Sequence, residues 1–317
     1  MSKTAFIFPG QGSQYVGMAR EFYDTYKESR QVFQEASQAA GFSLEEICFT
    51  ENEKINETKY TQPALLTASC AILKAIEKEG IHADVTAGLS LGEYCALTAA
   101  ETMEFSDAVK VVCQRGMYME DEVPAGQGAM SAVISRKPVP MEEICEETCL
   151  ETGEMVTVAN YNCPGQRVIS GKKCAVEEAS RKLLDAGAAR VIPLKVDGPF
   201  HSPLLKGAGD KLEKYLEQVE VKEPSIPFVS NVTAQEEQAP KRVKELLGQQ
   251  VYSPVRWQQS MEYMIQEGVD TFVEIGPGNT LSNFAKKIDR SLKVYHVETV
   301  ADLEELKKCM LEQELVS

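Results

Sequence analysis

Residues 84–100, DVTAGLSLGEYCALTAA, place one serine between two glycines, where a short apolar segment runs into a helical one. The apolar residues 84–87 have the pattern of a buried strand, and the segment from Glu93 onward is typical of a helix. Both glycines would relieve crowding at a sharp turn and leave the Ser90 hydroxyl exposed at the helix N-terminus. The stretch therefore indicates either a nucleophilic serine or a small residue that only shapes a turn.

Similar strand-and-turn units recur along the chain. Short apolar or β-branched segments alternate with longer helical ones, which predicts a parallel sheet covered by helices. The strand candidates are residues 4–8, 84–87, 226–230, 271–275 and 293–297. The first, second and fourth end in glycine turns, PGQG, GLSLG and GPG. Because the carboxyl ends of parallel strands meet at one edge of a sheet, we expect these turns to surround one crevice.

The middle of the chain follows a different pattern. Its segments are strand AMSAVIS, helix PMEEICEETCLE, strand MVTVANYN, strand RVISG, helix AVEEASRKLLDAG and strand RVIPLKV. This β-α-β-β-α-β order is that of a ferredoxin-like domain. We therefore expect an α/β protein with a large catalytic domain, residues 1–125 and 198–317, and an inserted ferredoxin-like subdomain, residues 126–197. A cleft between the two is the expected ligand site.

Composition narrows the class of protein. The 317 residues are 43% hydrophobic, which is enough for one large domain or two unequal ones. No apolar run approaches the roughly 18 residues that span a bilayer, and the start lacks a signal-peptide pattern. The nine cysteines include no C-x-x-C pair, and there are three histidines, so reduced thiols and no structural zinc are expected. These features predict a cytoplasmic protein.

The net charge of −15 disfavours a general nucleic-acid binder, which needs a basic face to neutralise phosphates. An acidic protein partner is compatible with a local positive patch. Dispersed surface lysine is the alternative interpretation of the basic pairs. These pairs are Lys172–Lys173, Arg181–Lys182, Lys241–Arg242 and Lys286–Lys287.

A serine nucleophile needs a base, because its free hydroxyl is too weakly acidic at neutral pH. His82 and His296 lie beside or within strand candidates and are interpreted as structural residues. His201, between prolines in KVDGPFHSPLL, is the better candidate, and the 116 residues that follow it disfavour the residue order of an α/β-hydrolase. Either the Asp197 carboxylate or a backbone or amide carbonyl would orient the imidazole.

Two further segments are candidates for the site. FPGQGSQ at 8–14 follows a strand but lacks the GK[ST] ending and third glycine of nucleotide loops, so we interpret it as a second oxyanion loop. The N–H groups of Gln11 and Leu91 would then face the carbonyl that Ser90 attacks. Arg115 is a lone arginine in VVCQRGMYM. It is either salt-bridged or a bidentate clamp for a substrate carboxylate.

Taken together, nine motifs resemble the malonyl-CoA:acyl carrier protein transacylases, in the same order and over nearly the whole chain. They are FPGQGSQ, TQPAL, GLSLGE, QRG, ANYNCPGQ, GPFHSPL, SNVTA, SPVRW and EIGPG. Each motif is weak by itself, but nine in register are specific. The resemblance implies that Ser90 is acylated by malonyl-CoA, that His201 is the general acid/base, and that Arg115 pairs with the malonate carboxylate.

The resemblance also implies roles for supporting residues. Gln11 and Leu91 would form the oxyanion hole through their N–H groups, the carbonyl of Gln250 would orient His201, and Asn160 would line the pocket. Phe200 would oppose an α-methyl branch, because related enzymes that select methylmalonyl carry a smaller residue there.

One departure concerns the residue before the serine. Many relatives have G-H-S-x-G, whereas this chain has Leu89. The departure leaves the role of His201 as base unaffected and concerns any polar contact that the missing imidazole would make near the malonyl group.

The implied reaction, a step of fatty-acid biosynthesis, is a two-step exchange that passes malonyl from CoA to Ser90 and then to the phosphopantetheine thiol of a carrier protein. No metal or redox cofactor, nucleic acid or membrane is expected to take part, and the protein is expected to be a monomer. The alternatives are an acyltransferase that serves a polyketide synthase, a serine thioesterase, and a non-catalytic binding module.

Overall fold

Nine strands organise the chain in the computed structural model, which describes residues 3–124, 126–196 and 198–314. In chain order they are β1 (Lys3–Phe8), β2 (Val85–Gly88), β3 (Gly128–Ile134), β4 (Val156–Cys163), β5 (Gln166–Lys172), β6 (Arg190–Pro193), β7 (Phe228–Val229), β8 (Val269–Ile275) and β9 (Lys293–Val297).

Thirteen α-helices connect or cover these strands within the described residues. They are α1 (Arg20–Thr25), α2 (Lys27–Ala40), α3 (Leu44–Phe49), α4 (Thr58–Lys78), α5 (Gly92–Ala99), α6 (Phe105–Glu122), α7 (Met141–Thr152), α8 (Lys173–Asp185), α9 (Lys206–Leu216), α10 (Pro240–Gln250), α11 (Trp257–Gln266), α12 (Thr280–Ile288) and α13 (Val300–Glu314). Short 3₁₀ turns occur at Lys54–Asn56 and Pro203–Leu205.

The larger sheet has five parallel strands in the order β7-β2-β1-β8-β9. Side chains alternate along β1, so that Phe6 and Phe8 join the core on one face while Ala5 and Ile7 join the core on the other. Helices cover both faces, which is the usual arrangement for parallel sheets. The predicted α/β class is therefore confirmed, and the three strands that end in glycine turns, β2, β1 and β8, are neighbours.

The smaller sheet is antiparallel, with the order β4-β5-β3-β6. This is the ferredoxin-like order, and α7 and α8 pack over the buried face around Val133, Val158 and Ile169. The backbone joins the sheet to the rest of the protein, because Tyr161 N–H donates to Val255 O at 2.9 Å and Val255 N–H donates to Ala159 O at 2.8 Å. The division into two domains at 125/126 and 197/198 stays a prediction, since Ala125 and Asp197 lie outside the described residues.

Two strands are shorter than the sequence predicts. The strand expected at 226–230 is reduced to the two residues of β7, beside Pro227 and a turn in which Ser230 N–H donates to Gln235 O at 3.0 Å. The strand expected at 190–196 ends at Pro193, which has no N–H to donate to a ladder. A proline thus precedes β7 and ends β6, although the Leu194 N–H still donates to the Met130 oxygen of β3 at 2.9 Å.

Membrane spans were sought among the described helices, and none is long and apolar enough to cross a bilayer.

Candidate active site

Ser90 lies in the turn between β2 and α5 with an unusual backbone conformation. Its φ is +53°, a region that L-residues other than glycine rarely adopt. A Cβ on Gly88 would lie 1.9 Å from the Gly92 carbonyl carbon, and one on Gly92 would lie 2.1 Å from the Phe8 oxygen. Both positions therefore require glycine. Strain held at a reactive side chain is typical of functional sites.

His201 contacts the serine directly. Its Nε2 lies 2.7 Å from Ser90 Oγ, and its Nδ1 lies 2.7 Å from the backbone oxygen of Gln250. A carbonyl oxygen only accepts hydrogen bonds, so Nδ1 carries the proton, and Nε2 of the neutral ring accepts the hydrogen bond from the Ser90 hydroxyl. The arrangement is that of a serine paired with a general base whose tautomer is set by a third group.

The imidazole is buried, with 3% of its surface exposed. Burial, and next the charge of Arg115, lower the pKa of His201 to about 4, against the opposing effect of its hydrogen bonds to backbone. The ring is therefore neutral at physiological pH and free to accept a proton.

Arg115 is also buried, at 1% exposure, and it points at the same serine. Its Nη2 donates to Ser90 Oγ at 3.2 Å and to Gln250 Oε1 at 3.0 Å, while Nη1 donates to Gln62 Oε1 at 2.8 Å. These partners are neutral, and among the described residues no carboxylate pairs with the guanidinium. A buried cation that makes no direct ion pair with the described residues, beside a candidate nucleophile, is suited to hold an anionic substrate group.

The backbone N–H groups of Gln11 and Leu91 remain the predicted donors of an oxyanion hole. Leu91 precedes the first turn of α5, and Gln11 follows the end of β1. Within the described part of the chain neither N–H donates a hydrogen bond, although Leu91 is 1% exposed. Donors of this kind stabilise negative charge that develops on a carbonyl oxygen.

A cleft of about 260 Å³ opens above Ser90, His201 and Arg115, between the two sheets. Asn160, Phe200 and Leu89 line it, as do the glycine turn after β1 and the start of α12. The small sheet contributes a mixed polar and apolar wall of Met130, Ala132, Asn160, Asn162, Gln166 and Val168. The cleft therefore lies where the sequence predicts a ligand site.

Comparisons with known proteins agree with this geometry. The family model described as acyl transferase domain matches residues 5–309. The malonyl CoA-acyl carrier protein transacylase of Bacillus subtilis (strain 168) is 44% identical over 305 residues, which are 96% of each chain. A crystal structure of the enzyme with that name from Clostridium perfringens superposes with a TM-score of 0.94 at 41% identity, over 99% of both chains.

The chain belongs to the acyl transferase family. A structure of a type II PKS acyl-carrier protein in complex with its malonyl-transacylase also matches this acyl transferase, with a TM-score of 0.94, 38% identity and coverage of 97% of this chain and 99% of that one. The resemblance based on the nine motifs is therefore confirmed.

The other histidines of the acyl transferase lie elsewhere. His82 is exposed in the loop before β2, and His296 on β9 lies 4.0 Å from Asp302, measured from Nε2 to Oδ1. Asp197, the carboxylate proposed as an alternative partner for His201, lies outside the described residues. The oxygen that contacts His201 Nδ1 is the backbone oxygen of Gln250.

Sequence reasoning missed three polar residues around the serine. Gln62 holds Arg115, Asn231 Oδ1 accepts the Ser90 N–H at 2.7 Å, and Glu93 accepts hydrogen bonds from Asn231 and Gln250. All three have 0% exposed surface. They lie in the motifs TQPAL, SNVTA and GLSLGE, but buried polar residues of these types carry no local signal of their partners.

We expect the pH dependence of Ser90 reactivity to report the low pKa of His201. Labelling by phenylmethanesulfonyl fluoride, a neutral reagent, should stay constant as the pH falls to about 5 and decline with a midpoint near 4, because only the neutral ring accepts the serine proton. In Arg115→Met the loss of a neighbouring cation favours the protonated ring, so the midpoint should move to higher pH. Intact mass measures the rate, and an unmoved midpoint would contradict the assigned electrostatic coupling.

Proposed function

We propose that this acyl transferase moves a malonyl group from malonyl-CoA to the phosphopantetheine thiol of an acyl carrier protein, through an ester on Ser90. One observation carries the proposal. The Ser90 hydroxyl lies 2.7 Å from His201 Nε2 and 3.2 Å from Arg115 Nη2. A nucleophile, its base and an unpaired buried cation thus meet at one atom, which suits an acyl group that ends in a carboxylate. The relatives bearing the transacylase name support the same substrates.

In the first half-reaction, His201 Nε2 takes the Ser90 proton as Oγ attacks the thioester carbonyl. The N–H groups of Gln11 and Leu91 hold the oxyanion, and the tetrahedral intermediate then expels the CoA sulfur. The C–S bond breaks, the sulfur receives the proton from His201, and a malonyl ester remains on Ser90. The Gln250 carbonyl stabilises the imidazolium through Nδ1–H.

In the second half-reaction, the carrier thiol enters the same cleft and gives its proton to His201. The sulfur attacks the ester, the C–O bond to Ser90 breaks, and the serine oxygen recovers the proton from His201. The chain's own residues supply each proton transfer, because the same imidazole accepts and returns the proton in both directions.

Selectivity depends on the cleft walls. The Arg115 guanidinium would bind the malonyl carboxylate through paired N–H groups. Phe200, which is 7% exposed and lines the cleft, would leave little room for an α-methyl branch. Asn160 lines the same cleft, and Leu89 places an apolar group where many relatives have histidine. The cytoplasmic location and monomeric state stay predictions.

Intact mass distinguishes the proposed transfer from its rivals. With malonyl-CoA alone, the wild-type protein should gain one malonyl group and Ser90→Ala none, because the variant lacks the attacking oxygen. Adding the holo carrier protein should move the group to the carrier. Equal loss of the ester without carrier would indicate a thioesterase, and no mass gain in the wild type would overturn the proposed function.

Replacing Arg115 should affect malonyl transfer more than acetyl transfer. In Arg115→Ala the malonyl carboxylate is desolvated without a partner, at a cost of several kcal/mol, so the ratio of kcat/KM for malonyl-CoA over acetyl-CoA should fall about 10²-fold or more. Arg115→Lys is the matched variant. It keeps the charge but lacks the planar guanidinium that donates two parallel hydrogen bonds, and it should give an intermediate ratio. Parallel losses with both acyl groups would mean that Arg115 only supports the fold.

A basic groove next to the cleft is the candidate docking surface for the carrier. It measures about 760 Å³ and shares Gln166, Thr280 and Phe284 with the cleft. Lys286, Lys287 and Arg290 line it, and within the described residues none of the three has a carboxylate partner. Several other basic pairs are engaged, since Arg181 pairs with Glu178 and Asp185, Lys182 with Glu151, and Arg242 with Glu245.

Reversing the charge of Lys286 and Lys287 should weaken carrier binding selectively. Carrier proteins of fatty-acid biosynthesis are typically acidic, and this chain has a net charge of −15. Attraction between the two proteins therefore depends on a local positive patch. The Lys286→Glu/Lys287→Glu variant should raise the apparent KM for the carrier and leave that for malonyl-CoA unchanged. Lys241→Glu/Arg242→Glu changes the net charge equally on another helix and serves as control. An equal rise with both variants would remove the groove from docking.

A further inference from the structure

Glu93 is a fully buried carboxylate that the reaction described above does not use. It lies in the first turn of α5 with 0% exposed surface. Burial raises the pKa of Glu93 to about 7, and hydrogen bonds from Gln250, Asn231 and Ser230 together with the charge of Arg115 oppose that rise. Burying a charged group is costly unless its partners compensate, so the identity of those partners indicates what the carboxylate does.

Each oxygen of the carboxylate accepts from a residue that contacts the serine turn. Oε1 accepts the Asn231 N–H at 3.3 Å, and Oε2 accepts the Gln250 side-chain amide. Asn231 in turn accepts the Ser90 N–H through Oδ1 at 2.7 Å and donates to the Gly88 oxygen at 2.6 Å. One branch from Glu93 therefore leads to the backbone of the nucleophile.

The second branch leads through Gln250 to the base and to the cation. Its backbone oxygen accepts from His201 Nδ1 at 2.7 Å, its Oε1 accepts from Arg115 Nη2 at 3.0 Å, and its Nε2 donates to the Ser90 backbone oxygen at 2.9 Å. Gln250 thus contacts Arg115, His201 and the backbone of Ser90.

The orientation of the Gln250 amide decides whether these contacts form. Both oxygens of the carboxylate accept hydrogen bonds, so the amide NH₂ faces Glu93, and this leaves Oε1 to face Arg115. The reversed amide would direct its oxygen at the carboxylate and its N–H groups at the guanidinium. Both contacts of the reversed amide are repulsive, so Glu93, Arg115 and the Ser90 backbone oxygen select the same orientation, and Glu93 anchors the NH₂ end of the amide that holds Arg115.

We propose that Glu93 is a positioning residue that acts through Gln250 to hold Arg115 and His201 in register with Ser90. This role rests on the proposed malonyl transfer, because its main measurement is the preference for malonyl over acetyl groups. Glu93 itself contacts neither the serine hydroxyl nor the cleft, so its effect on the reaction passes through the Gln250 amide and backbone.

The matched substitution is Glu93→Gln, which keeps the shape and removes one acceptor. Asn231 and Gln250 both donate, so a glutamine at this position leaves one of these donors facing an N–H group and no longer anchors the Gln250 amide. We expect the malonyl/acetyl ratio of kcat/KM, normalised to titrated Ser90, to fall about tenfold, the size of effect for a lost hydrogen bond to a charged group. Glu93→Asp keeps both acceptors and should restore most of the ratio.

A double-mutant cycle tests whether the effect passes through Gln250. Gln250→Met removes the amide, keeps the side-chain volume and keeps the backbone oxygen that holds His201. In this background, Glu93→Gln should change the malonyl/acetyl ratio by less than about twofold, because coupled residues are not additive. Full additivity would overturn the proposal. Should Glu93→Gln not fold, Gln250→Met alone decides, since an unchanged ratio in that variant leaves Glu93 no route to Arg115.

A merely structural role gives a different result. It predicts a lower Tm for Glu93→Gln, with the malonyl/acetyl ratio per titrated Ser90 unchanged, and that outcome would refute positioning.

Labelling of Ser90 by phenylmethanesulfonyl fluoride tests the role of Glu93 separately from the proposed function, because the reagent contains no malonyl group. Glu93→Gln should slow labelling severalfold in the wild-type background and leave it unchanged in Gln250→Met. If this labelling pattern is seen but the wild-type protein gains no malonyl group, the proposed malonyl transfer is overturned and the positioning role of Glu93 stands.

Discussion

The close approach of the β2–α5 turn to the end of β1 is the constraint on which the site depends. A Cβ on Gly92 would lie 2.1 Å from the Phe8 oxygen, so the turn packs directly against backbone. This contact holds Ser90 at φ +53° and directs its hydroxyl into the cleft. Parallel pairing of β1 with β2 and β8 then brings the other two glycine turns to the same edge. The nucleophile is thus positioned by sheet geometry rather than by its own side chain.

Burial without ion pairing gives the site its electrostatic character. Arg115 is 1% exposed and bonded to the neutral oxygens of Gln62, Gln250 and Ser90, so its charge is available to a ligand. The same charge, together with burial, keeps His201 neutral. A cation that depresses the pKa of a neighbouring base and attracts an anionic substrate serves both functions only in a site that excludes water.

The two sheets contribute different parts of the site. The parallel sheet supplies Ser90 and both candidate oxyanion N–H groups, from loops that rigid strands support. The ferredoxin-like sheet supplies one wall of the cleft, joined by the backbone bonds between Val255 and β4. The basic groove continues from the cleft along α12. The Glu274 carboxylate caps this helix by accepting the Leu281 N–H at 3.0 Å and the Ser282 N–H at 2.7 Å. The candidate catalytic residues and the basic groove therefore lie on separate elements that meet at one opening.

The sequence by itself determined the α/β class, the antiparallel insert, and the residues that meet in the cleft, because strand-to-turn patterns and glycines are local signals. Ser90 was found in this way, His201 by comparison of the three histidines, and the nine motifs added the role of Arg115 and the identity of the acyl group. Only the tertiary structure decided that Gln62, Asn231 and Glu93 surround the serine. Glu93 and Gln250 are 157 positions apart, and their contact arises where the first turn of α5 meets the end of α10. Hydrogen bonds between buried polar groups depend on that packing, and no periodicity in the chain records it.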